Sequence, residues 1–218
     1  PSDAWRSLRP LDHPLRRKRV GEMKPLVLAS KSPRRETLLS TLGWKFRIVD
    51  PGVEERHLEG ESPEKACRRL AIEKARAVSG RFPGNLVIGA DTIVVHQGKI
   101  LGKPKDGPEA FEMLRALSGS RHEVMTGVAL CHGGLCLDEV EKTLVSFRPL
   151  SDEEIAAYVA TGEGRDKAGA YAIQGRGSLL VSGISGCYFN VVGLPLFRLS
   201  LLLERFGVPL SRQWEGVR

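Results

Sequence analysis

An apolar tetrapeptide, Leu26-Val-Leu-Ala29, runs through Ser30-Lys31 into a helix opened by Ser32-Pro33 and stopped by Gly43. Proline at the first helical position and glycine just past the end are ordinary helix punctuation, and Leu38, Leu39 and Leu42 supply the inward face. Strand, tight turn and helix are thus dictated locally, which commits the chain to helices packed on a sheet. The alternation continues. Lys45 to Val49 reads as a second strand, and Ser62-Pro63-Glu64 opens a helix with Ala66, Leu70, Ala71 and Val78 near one face and Lys74 along it. Leu86 to Ala90 is a wholly apolar strand, interrupted by Asp91 and continued by Thr92 to His96; the Gln97-Gly98 turn returns Ile100 and Leu101 as a hairpin arm. Pro108 to Leu117 is a third helix, and Glu123 to Cys131 and Leu135 to Phe147 are strands around Gly133-Gly134. Ser151 to Glu154 forms a capping box for a fourth helix ending at Gly162, and Pro195 to Phe206 closes the fold as a helix. The hairpins require antiparallel pairing, so the expected class is α/β with a mixed sheet flanked by helices, not a purely parallel doubly wound sheet.

Charge decides less than it first suggests. Of the net +7, a net +3 sits in Pro1 to Glu22, where six basic residues (Arg6, Arg9, Arg16, Arg17, Lys18 and Arg19) face Asp3, Asp12 and Glu22. That segment has no apolar periodicity and reads as a disordered basic tail, leaving residues 23–218 as one domain. The remaining +4 suits a domain that receives a small polyanion and is too modest for a nucleic-acid track. No aromatic residue interleaves the cluster at Arg16 to Arg19, so nucleic-acid binding through the tail ranks lowest among the readings. The four cysteines form no CxxC pair, which suggests neither a disulfide framework nor a zinc cage, with Cys131 and Cys136 flanking a turn and a reducing cytoplasm fitting best. No apolar run is long enough to span a bilayer. The five histidines lack metal-ligand spacing, and Trp44 and Phe46 read as core.

Chemistry concentrates in two places. Ser30 to Arg35 follows a buried strand and enters a helix, so unpaired backbone N–H groups and the positive helix end converge on one spot. Arg34 and Arg35 oppose the helix dipole there, a cost that an anion removes, and the guanidinium fork together with the Ser30 and Ser32 hydroxyls suits phosphate. A solvated first turn capped by Ser32 is the plain alternative. The segment lacks the GxxxxGK pattern of a Walker loop. Asp91, ending the apolar run at a sheet edge, suits a metal ligand or a water-activating base. Glu54-Glu55, after the Pro51-Gly52 turn, offers a second carboxylate for a divalent ion shared with phosphates. Gly102 to Asp106 and the glycine-rich stretch Asp166 to Gly177 are weaker signals.

Taken together, Leu28-Ala-Ser-Lys-Ser-Pro-Arg-Arg35, Gly52-Val-Glu-Glu55, Leu70-Ala-Ile-Glu-Lys-Ala75, Gly89-Ala-Asp-Thr92, Gly102-Lys-Pro104, Asp166-Lys-Ala-Gly-Ala-Tyr-Ala-Ile-Gln-Gly175 and Val191-Val-Gly-Leu-Pro195 resemble the Maf family of nucleotide pyrophosphatases, over Lys24 to Phe206. The resemblance implies a fold like inosine triphosphate pyrophosphatases, with two lobes around a cleft and commonly a homodimer. It implies hydrolysis of a nucleoside triphosphate between its α- and β-phosphates, assisted by Mg²⁺ or Mn²⁺. By position, Asp91 matches the proton acceptor, and Glu55 a carboxylate linked to metal and catalysis. Ser30, Arg34, Arg35, Lys74 and Lys103 match the phosphate side, with Lys103 counted among the catalytic residues and Glu55 with Asp91 as metal ligands. Arg34, Thr92 and Gln174 stand where the family's substrate choice is set and resemble its dTTP/UTP branch. Ser185 to Asn190 fits the pattern loosely and receives no role. The family's association with arrested septum formation supplies a second reading, a non-enzymatic regulator of cell division.

Overall fold

The computed structural model describes residues 26–56 and 58–215; the basic tail lies outside them. In chain order the elements are β1 (Leu26–Ala29), α1 (Pro33–Ser40), β2 (Phe46–Val49), α2 (Pro63–Ser79), β3 (Val87–His96), β4 (Lys99–Leu101), α3 (Gly107–Leu117), β5 (Arg121–His132) and β6 (Leu135–Phe147). There follow α4 (Asp152–Ala160), two 3-10 turns (Ala168–Ala170 and Gly175–Leu180), β7 (Val181–Ser185), α5 (Tyr188–Val192), α6 (Leu196–Arg205) and α7 (Leu210–Trp214). The seven strands form one sheet in the order β2-β1-β3-β5-β6-β7, with β4 on the free part of β3. β1 pairs in parallel with β2 and β3, and every other pairing is antiparallel. The mixed sheet required by the hairpins is present, and the Ser151–Glu154 capping box forms with both of its hydrogen bonds.

Period-two burial assigns each strand residue a face. On β3, Ile88, Ala90 and Val94 join the larger core with Leu28, Val128, Leu130 and Leu199. Val87 packs on the opposite face with Val27, Ala29, Ala71, Ala75 and Val78 beneath α2, and Ile93 lies with Cys67 from the same helix. Two glycines set how closely α2 approaches. A Cβ on Gly89 would collide with the Ala71 carbonyl and stand 2.7 Å from Ala75 N, and one on Gly127 would run into the Cys67 backbone. Helix backbone therefore lies against sheet backbone at both positions.

Two expectations are corrected. Asp91 does not lie at the sheet's edge, because β3 runs on unbroken to His96 and pairs Asp91 with Gly127 of β5. What changes at Asp91 is the neighbour: on one flank of β3 the ladder with β1 stops at Ala29–Gly89, and that with β4 starts only at Val94–Leu101. Asp91 sits in the gap between them. Second, Cys131 and Cys136 are disulfide-bonded. The β5–β6 register sets them directly opposite each other, a proximity that spacing rules for metal and redox motifs do not register. The cysteines therefore cease to argue for a reducing compartment. Among the described residues, no helix is long and apolar enough to cross a membrane.

Candidate active site

The gap beside β3 opens into a cavity of about 690 Å³, walled by the β1–α1 loop, the segment Asp50–Glu55, Lys74 of α2, the stretch Asp166–Gln174 and Val191–Gly193. Ser30, Arg34, Arg35, Glu55, Lys74, Asp91, Thr92, Lys103 and Gln174 all line it. Every site residue expected from the sequence is thus brought to one place, although they come from six separate segments.

Neighbours in sequence, Asp91 and Thr92 point to opposite faces of β3, and the opening lets the cavity reach both. On the α2 face, Lys74 is buried and its Nζ donates to Asp91 Oδ1 at 2.6 Å and Glu55 Oε1 at 2.5 Å. Lys103 approaches the other Glu55 oxygen at 3.4 Å. Close packing at Gly89 explains the reach, since it draws α2 onto β3 one turn from Lys74 and two residues from Asp91. Burial raises the Asp91 pKa, against the pull of Lys74 and Arg35, so the carboxylate is more basic than an exposed aspartate. Burial also works against ionised Glu55, but Lys74 and Lys103 prevail and hold it at about 2.

These shifts have opposite linkage signs. Glu55, depressed from 4.5, contributes stability that is complete above its ordinary range and lost as pH falls toward 2. Asp91, raised, costs stability as it ionises at rising pH. Urea midpoints measured between pH 4.5 and pH 2.5 are expected to fall less steeply in Glu55→Gln than in the wild type; identical slopes would refute the assignment.

On the opposite face Arg35 is only 9% exposed. Its guanidinium donates to Gly193 O at 2.7 Å, Thr92 Oγ1 at 3.1 Å and Ser30 Oγ at 3.2 Å. All three acceptors are neutral. Burial lowers its pKa, with Asp91 and Glu55 pulling the other way. A buried cation held by neutral oxygens at a cavity wall keeps most of its charge for an incoming anion, and its desolvation is otherwise uncompensated. The more exposed cations already have partners: Lys31 pairs with Asp50 at 2.7 Å and Arg34 with Asp166 at 3.7 Å. A polyanion would exchange these weak surface pairs for its own contacts. Ser32 caps α1 in extended geometry without a side-chain hydrogen bond, so its hydroxyl is not used by the helix.

Glu54 lines the cavity but pairs with Arg56 at 2.7 Å, and Lys105 does not line it. Several residues escaped the sequence reading. Thr92 Oγ1 lies 2.9 Å from Thr126 Oγ1, Thr126 donates to Asn190 O, and the Asn190 amide donates to Thr143 Oγ1 and Val124 O. Asn190 is fully buried. The segment given no role thus braces the arginine through a chain of hydroxyls; Gly193, whose carbonyl takes Arg35 Nε, was visible only as part of Val191-Val-Gly-Leu-Pro195.

Fold and site together define an α/β protein whose sheet opens onto a cavity of opposed buried cations and carboxylates. The chain belongs to the Maf family, since the Maf-like protein profile matches residues 25–206. It is 54% identical over 188 residues to the dTTP/UTP pyrophosphatase of Symbiobacterium thermophilum, covering 86% of this chain and 97% of that protein. It is 52% identical over 185 residues to the dTTP/UTP pyrophosphatase of a Geobacillus species, covering 85% of this chain and all of that one. Among solved structures, the Staphylococcus aureus Ham1 protein overlaps 59% of this chain and 73% of its own with a TM-score of 0.39 and 17% identity.

Proposed function

We propose that this protein hydrolyses nucleoside triphosphates, dTTP and UTP foremost, to the monophosphate and pyrophosphate. The observation that carries the reading is buried Lys74 bridging Glu55 and Asp91 in the same cavity as buried Arg35. Its relatives' names, at over half identity across nearly their whole length, supply the substrate.

In the proposed mechanism Asp91 accepts a proton from water as the water oxygen bonds to the α-phosphorus. The bond from that phosphorus to the α,β-bridging oxygen breaks, and pyrophosphate leaves with the bond's electron pair. Burial gives Asp91 its basicity, while Lys74 keeps it ionised and oriented. Arg35, Lys103 and the exposed end of α1 bind the phosphates and stabilise the charge on the leaving group. Ser30 orients Arg35 and presents its hydroxyl to the same oxygens.

A divalent ion fits the donor set in one manner. Among the described residues no three carboxylate, histidine or cysteine side chains cluster to cage it, but of the acidic residues that line the cavity Glu55 and Asp91 lie together on one partner, Lys74. Glu55 and Asp91 would hold Mg²⁺ or Mn²⁺ with phosphate oxygens completing its shell, as such ions commonly bind. Bound there, it would neutralise phosphate charge. Arg34 and Gln174, at the mouth, and Thr92, through Arg35, are the residues proposed to set substrate choice. The proposal includes a cytoplasmic homodimer, whose mass in solution light scattering reads directly.

A panel of nucleoside triphosphates incubated with and without Mg²⁺ or Mn²⁺ tests the reading. UTP and dTTP are expected to turn over fastest, with pyrophosphate and monophosphate in equal amounts. Orthophosphate as the first product overturns it.

A further inference from the structure

Outside the cavity, one carboxylate is engaged more fully than any surface position needs. Glu163 follows α4 and does not line the cavity. Its Oε1 accepts from the backbone N–H of Arg176 at 3.0 Å, and its Oε2 accepts from that of Gly177 at 2.8 Å and from the Tyr158 hydroxyl at 2.9 Å. Burial works against its charge, yet these donors hold the carboxyl below its ordinary range. The Tyr158 hydroxyl in turn accepts from Ala172 N at 3.2 Å. Both flanks of Ile173-Gln174-Gly175 are therefore tied to one carboxylate–phenol pair, on the side of the loop away from the cavity.

The backbone between these ties has little freedom. Gly175 has φ +68°, and a Cβ there would collide with Glu163 Oε1. A Cβ on Gly177 would strike the Ala172 carbonyl and stand 2.7 Å from the Tyr158 hydroxyl. The turn closes around the carboxylate so tightly that it excludes side chains at both glycines. Gln174, between the ties, is half-buried, lines the cavity and makes no side-chain hydrogen bond among the described residues. With no side-chain partner, the amide takes its place from the backbone, so whatever fixes the turn sets where the amide can reach.

We propose that Glu163 and Tyr158 are specificity-positioning residues: they anchor the 172–177 turn so that the Gln174 amide meets the nucleobase in one orientation. An amide offers a donor and an acceptor side by side, and uracil and cytosine carry opposite donor and acceptor patterns at the N3 and C4 positions of the ring. Discrimination between them then depends on which end of the amide faces which position. Loosening the turn lets either end face the base, and selectivity falls while the proton-transfer groups stay in place. The inference rests on the proposed function and its reading of Gln174 as a residue that sets substrate choice, here by contact with the base.

The test measures kcat and KM for UTP, dTTP, CTP and GTP with the wild type, Glu163→Gln, Tyr158→Phe, the double variant and Gln174→Ala, after thermal melts establish which variants fold. Glu163→Gln replaces an acceptor with a donor at the turn, and Tyr158→Phe removes the hydroxyl while keeping the ring. Each is expected to lower the UTP-over-CTP ratio of kcat/KM by about three- to tenfold, the range of one misplaced hydrogen bond, chiefly through KM. The double variant is expected to fall no further than the worse single one, because both act on one turn. A ratio unchanged in Tyr158→Phe and in any folded Glu163→Gln overturns the inference, as does an equal loss for all four nucleotides. If Gln174→Ala lowers the ratio while the other variants keep it, this inference alone fails. If Gln174→Ala keeps the ratio, the assignment of Gln174 fails and takes this inference with it.

Discussion

Asp91→Asn is expected to reduce kcat by about 10² to 10⁴, the contribution of a positioned general base, while KM stays level or falls. The substitution is isosteric, and the asparagine oxygen can still accept the Lys74 hydrogen bond that now spans 2.6 Å. What disappears is the site for the proton and one negative charge among groups that receive phosphates. Loss of the charge favours ground-state binding, so a residue that held only structure or substrate would instead raise KM. Steady-state kinetics on UTP, with pyrophosphate release as the readout, separates the two. Undiminished turnover would remove Asp91 from the chemistry.

Arg35→Met is expected to lower kcat/KM by about 10² to 10³, the effect of losing a donor that stabilises developing charge, without a matching loss of stability. The acceptors left behind are mostly still served. Ser30 Oγ keeps the Ser32 N–H at 3.1 Å and Thr92 Oγ1 still donates to Thr126, so only the Gly193 carbonyl is left without a hydrogen bond. An orphaned carbonyl costs about 1–3 kcal/mol, and release of a buried, unpaired guanidinium offsets it by a comparable amount. Charge that opposed the α1 dipole also goes. Denaturant midpoints close to or above the wild-type value, beside collapsed activity, are the expected signature. A large drop in stability would make Arg35 structural.

The sequence reading reached the site because its signals were local. Ser32-Pro33 opening a helix after four apolar residues places Arg34 and Arg35 at a positive helix end without tertiary information, and Ser62-Pro63 does the same for the helix carrying Lys74. The order of the motifs then linked segments that periodicity leaves separate. What stayed hidden was made by long-range pairing. That β1 leaves β3 at Gly89 before β4 joins at Val94 is a property of three strands, so the opening beside Asp91 could not be read from one of them. The Cys131–Cys136 bond follows from a hairpin register. Asn190 and Thr126 are 64 residues apart, and nothing near either announces the hydrogen bond between them. Glu163, just past the helix end at Gly162, carried no signal because its partners include backbone N–H groups, which every residue but proline has.

The close approach of α2 at Gly89 and Gly127 has a bearing on the barrier itself. In the proposed mechanism a lysine on a mobile surface helix would have to relocate, and shed water, as negative charge left Asp91 and built up on the departing pyrophosphate. Here contact between two backbones holds the part of α2 that carries Lys74, so under the proposed mechanism its ammonium would already stand beside Asp91 and Glu55. The reorganisation energy that solution would demand during each turnover has been met once, in folding.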